Sequence, residues 1–172
     1  SSDVCSSDLN LCFDTFQCVW AALRNLCNHP IGVSEKDMLL AIIHTGADAL
    51  ASISTVTDCP SKSEIICNIF VVMSDLLDTE DCCIVPADFN EKTKKDILSN
   101  FVRCLRNSDI AQARCKGLGF LHDLLSRKIL STKSDFEAVL PLCVETIKHN
   151  LAETYDETIE IIFDITEMAI SI

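Results

Sequence analysis

The chain has 172 residues, 48% of them apolar and 23% charged, with a formal net charge of −12. That length can bury one sizeable core, and only four Gly and four Pro argue against a turn-rich sheet fold. The acidic balance argues against nonspecific DNA binding, which depends on many Lys and Arg neutralising phosphates. The longest apolar run, IICNIFVVM at 65–73, falls short of the roughly 18–20 residues that cross a bilayer.

Residues 1–9, SSDVCSSDL, resemble a translated sequencing adapter, which implies a reading frame cut at its start; the alternative is a polar, disordered N-terminal tail, and either sets them outside the fold. The domain is therefore expected over 10–172. Apolar residues recur at helical spacing from there onward, and strand-like alternation is nearly absent. Residues 10–28 carry Phe13, Phe16, Trp20, Leu23 and Cys27 on one stripe, ending at the Asn28-His29-Pro30 breaker. Ser34 reads as an N-cap for a helix bearing Leu39, Ile42, Ile43, Leu50 and Ile53, with Gly46 a point where 35–57 divides in two or does not. Ser61 with Glu64 is a capping box opening a helix with Ile65, Ile66, Ile69, Met73 and Leu76.

The stretch 79–89, TEDCCIVPADF, is the long irregular connection. Asp88 with Glu91 opens the next helix, carrying Ile97, Leu98, Phe101, Val102 and Leu105, and Ser108 caps one with Ala113, Leu118, Leu121, Leu124 and Leu125. Ser134 with Glu137, and Thr154 with Glu157, start the last two. The expectation is an all-α chain of seven or eight helices.

Charge is unevenly spread. Residues 1–91 hold 3 basic and 14 acidic side chains, 92–128 hold 9 and 3, and 129–172 hold 2 and 9. A basic belt between acidic flanks steers charged partners. Eleven cysteines show no C-x-x-C pair, and the four histidines (His29, His44, His122, His149) are scattered, so no metal site is expected. Cysteines at helical core positions behave as small apolar side chains, which fits a reducing compartment, cytoplasmic or nuclear. No G-x-S-x-G or metal motif appears, and KGLGF at 116–120 has a G-x-G without a preceding strand. No catalytic residue, cofactor or small-molecule substrate is expected.

One phrase recurs near four helix ends: LRNLC (23–27), MSDLL (73–77), LHDLL (121–125) and ITEMA (165–169), spaced by 50, 48 and 44 residues. Leu23, Met73, Leu121 and Ile165 share one place, and a polar residue follows two positions later: Asn25, Asp75, Asp123 and Glu167. A recurrence of this length in a helical chain is the mark of stacked repeats, each of which needs a neighbour to bury its apolar face.

The phrases AALRNLC (21–27), IIHTGADAL (42–50), CLRNSDIAQARCKGLGFLHDLL (104–125) and VLPLCVETIKHNLAETYDETIEIIFDITEMA (139–169) resemble armadillo repeats over nearly all of 11–172. The 79–96 region departs from that pattern, lacking the glycine. The resemblance implies a right-handed α-α superhelix, an armadillo- or HEAT-like solenoid of about four repeats, truncated. It implies a non-enzymatic scaffold that holds a partner segment along a groove of third helices. The family's groove asparagine carries over to Asn25. Asp75, Asp123 and Glu167 stand at equivalent places and, as acceptors, favour a protein or peptide partner bearing Lys or Arg. Trp20 lies five residues before Asn25, so it does not share that face, and the positions four before the polar residue (Ala21, Val71, Gly119, Phe163) hold no tryptophan array. On the last helix Glu160 and Asp164 join Glu167 in an acidic stripe that attracts basic partners. A HEAT-repeat segment of a karyopherin-beta-like transport receptor is the alternative, distinguished by simple helix pairs in place of three helices per repeat. A cryptic enzyme, needing convergent polar groups in a closed pocket, is the third.

Overall fold

The computed structural model describes residues 35–56, 62–77, 84–106, 111–150 and 156–172. The helix expected over 10–28, with Asn25, lies outside them, as do the capping residues Ser34, Ser61, Ser108 and Thr154. Among the described residues there are six α-helices and no strands: α1 (Glu35–Ser54), α2 (Lys62–Leu77), α3 (Glu91–Arg106), α4 (Ala111–Ser126), α5 (Lys133–Asn150) and α6 (Asp156–Ile170), with a 3-10 turn at Pro86–Asp88. None of these helices is long and apolar enough to cross a membrane.

α1 runs unbroken through Gly46. A glycine inside a helix costs about 1 kcal/mol against alanine, and the buried row Leu39, Ile42, Ile43, Ala47 and Leu50 outweighs it. Lys62, at the start of α2, closes the end of α1 by donating to the Ser54 and Val56 carbonyls at 3.2 and 2.9 Å. These are carbonyls that a helix end leaves unpaired.

Two helix starts differ from the sequence expectation. α3 is capped by Asn90, whose Oδ1 accepts from the Thr93 amide at 2.8 Å. Asp88 instead accepts from the Val85 amide at 2.8 Å and pairs with Lys36 of α1. The Lys36 and Val85 bonds hold its carboxyl below the usual carboxylate range. α5 is opened by Thr132 in place of Ser134. Thr132 Oγ1 accepts from the Asp135 amide while Asp135 Oδ2 accepts from the amides of Thr132 and Ser131. This reciprocal box satisfies donors that Ser134, one turn position too late, does not reach. Further along, α5 passes through Pro141. The carbonyl deprived of its partner there belongs to Glu137, an exposed residue.

α1 packs on α2, α3 on α4 and α5 on α6, each pair joined by a short connection, which makes antiparallel neighbours. α1 also packs on α3 and α3 on α5, while α2 packs on α4 and α4 on both α5 and α6. The odd helices thus form one layer and the even helices another. Among the described residues no helix touches one more than two places along the chain.

The core runs between the layers. At its centre Phe70 of α2, Phe101 of α3 and Phe120 of α4 are fully buried, their ring centroids 5.2 to 6.1 Å apart. Such aromatic pairs add about 0.5–1.5 kcal/mol each beyond the area they bury. Arg127, just past α4, donates to the Leu77 carbonyl at the end of α2, so these two parallel helices end side by side.

Candidate functional site: a groove across the even helices

The recurring phrase falls on the even layer. Met73 of α2, Leu121 of α4 and Ile165 of α6 are all fully buried, and each sits four or five residues before its helix ends. The residue two places on is therefore Asp75, Asp123 or Glu167, near the C-terminal end of three helices that pack in series. Asp75 is described only as a position in α2. Asp123 is half-buried and Glu167 exposed.

Beside Asp123 lies an open groove of about 450 Å³. Val71 and Ser74 of α2 form one wall, Lys116, Gly119, His122 and Asp123 of α4 the floor, and Glu157, Thr158 and Ile161 of α6 the other wall. Gly119 keeps the floor low: a Cβ there would rest 3.9 Å from Ile161 Cδ1, an ordinary contact that a longer side chain would exceed. Phe163, at the matching place on α6, is 67% exposed.

His122 joins two of the expected residues. Its Nε2 lies 3.5 Å from Asp164 Oδ2 on α6, and its Nδ1 lies 3.9 Å from Asp123 Oδ1. A protonated imidazole there would tie α4 to α6 between two carboxylates. His122 and Asp164 also border a second hollow of about 650 Å³ that takes in Glu167 and Met168. Glu160, exposed on α6, lines neither. The structure thus sets Asp123 and Asp164 beside one histidine, places Glu167 on the hollow that His122 and Asp164 border, and leaves Glu160 apart.

Ser126 Oγ stands 3.5 Å from His122 Nε2, giving a serine, a histidine and an aspartate in sequence along one helix. The separations of 3.5 and 3.9 Å exceed the roughly 2.6–3.2 Å needed for proton transfer. Nε2 is shared with Asp164, on an open surface. Among the described residues no group of three His, Cys, Asp or Glu side chains is placed to hold a metal.

Two groove residues carried no signal in the sequence reading. His122 counted as one scattered histidine, and Lys116 as part of the basic belt. Each gains its meaning from α6, packed across from it. No protein-family model matches the chain, and neither a curated protein nor a solved structure is significantly similar to it.

Proposed function

We propose that this chain is a segment of an α-helical repeat solenoid that binds a partner protein, without catalysis, along the groove of its even helices. The observation that supports this reading is the serial register of Met73, Leu121 and Ile165, buried alike on helices that pack in series, with Asp123 lining an open groove across them. Asp75, Asp123, Glu157 and Asp164 favour a segment bearing Lys or Arg through charge-assisted hydrogen bonds. Lys116, exposed on the groove floor, opposes such a partner and sets where its basic side chains do not sit.

Binding of a labelled Lys/Arg-rich peptide tests the proposal. Asp75→Ala with Asp123→Ala is expected to weaken capture about tenfold, and Lys116→Glu to strengthen it. Circular dichroism checks that both variants keep their helices. Unchanged binding in both overturns the reading.

A second reading, a HEAT-type segment of a karyopherin-beta-like transport receptor, is favoured by one observation: α1 passes Gly46 without the break that a three-helix repeat would place there. Retention of a GTP-loaded small GTPase of the nuclear-transport class, with no capture of the basic peptide, would select it.

A further inference from the structure

One helix of the odd layer, α3, presents charge of the opposite sign. α3 buries Ile97, Leu98, Phe101, Cys104 and Leu105. Its far side is a stripe of exposed Lys92, Lys95, Ser99, Arg103 and Arg106, spaced three or four apart and so on one face. Between this stripe and α5 runs a groove of about 430 Å³, with Leu98 and Val102 of α3 and Ala138 of α5 supplying its apolar surface.

The cations at this groove are uncommitted. Among the described residues Lys92, Lys95 and Arg106 make no ion pair, and Arg103 donates to the neutral Asn100 Oδ1 at 3.2 Å. The carboxylate in the lining, Asp135, is buried and already accepts two backbone amides. Exposed Asp96 flanks the stripe, and Glu91 is paired with Lys94. In a chain of net charge −12, positive side chains gathered without local partners form a patch complementary to an acidic ligand.

We propose that the α3–α5 groove docks an acidic, partly apolar segment of a partner protein. Its carboxylates pair with Lys95, Arg103 and Arg106, the guanidinium forks offering two parallel donors each. Its apolar side chains cover Leu98, Val102 and Ala138. The apolar surface selects a segment carrying aliphatic side chains beside its carboxylates, which a phosphate backbone does not offer. The site lies on the opposite layer from the even-helix groove and does not depend on it.

The test is fluorescence anisotropy of the full chain with a short labelled peptide of alternating Glu and Leu. Arg103→Glu with Arg106→Glu should weaken binding about tenfold or more, and added salt should weaken it further. Val102→Glu should do the same by charging the apolar surface. Lys95→Gln with Arg106→Gln, a milder pair, should give an intermediate loss, while Asp123→Ala in the other groove should leave binding unchanged. Parent-like binding by both arginine-reversed and Val102→Glu chains overturns the proposal. So does equal competition by a single-stranded RNA, which would make the stripe a polyanion site. Self-association of the chain abolished by the same arginine reversal, with no peptide binding, would assign the groove to the acidic α6 of a second copy and overturn it too.

Discussion

Leu105 of α3 occupies the space that a side chain on Gly117 of α4 would need. A Cβ built at Gly117 falls 2.3 Å from Leu105 Cδ2 and 2.7 Å from Cδ1. The first glycine of KGLGF is therefore a packing glycine that lets two helices approach closely.

Gly117→Ala gains helix propensity of about 1 kcal/mol but forces Leu105 off its rotamer, an overpacking that costs about 1–3 kcal/mol. A net loss of stability is expected in urea or thermal unfolding. Leu105→Ala removes the obstacle, so the two substitutions should be non-additive, the double variant losing less than the sum of the singles.

Lys128 ends α4 in the left-handed region, with φ of 58°. Its amide bonds Leu125 O at 2.9 Å and the Ile129 amide bonds Leu124 O at 2.9 Å, a helix-ending pair of bonds usually built on glycine. Buried Leu124 and Ile129 complete it. Lys128→Gly removes the Cβ strain and should stabilise the chain by about 0.5–1 kcal/mol, read as a raised unfolding midpoint.

Burial pushes the Cys104 thiol up to about 12 and Cys143 to about 11, and raises Cys67 despite the nearby Lys116. The folded chain holds these protons where the unfolded chain releases them. Stability from this source is full below about pH 9 and declines as pH rises through the folded values. The urea midpoint should fall steadily above about pH 9, with a shallower slope in Cys104→Ala. Below that pH these thiols should react slowly with iodoacetamide in the folded chain and quickly in urea.

Helices were legible because Ile97, Leu98, Phe101 and Leu105, and likewise Leu118, Leu121, Leu124 and Leu125, repeat at the helical period, and all eight are buried. Helix starts were less so: a serine near an acid matches a capping box at Ser134 as well as Thr132 does, and backbone direction decides between them. The ladder could be read in register, but not what surrounds it. His122 meets Asp164 across 42 positions of sequence only because α4 packs on α6, and no local pattern encodes that pairing. Asp88 resembles a cap in sequence for the same reason: its lysine partner lies on α1, far back in the chain.

Among the described residues each helix leans only on those one or two places away, so none of these contacts waits on the closure of a long loop. In the proposed solenoid, assembly begins at any adjoining pair and spreads in both directions. Pulled from its two ends, such a molecule yields in instalments, one hairpin of helices detaching while the remainder keeps its shape.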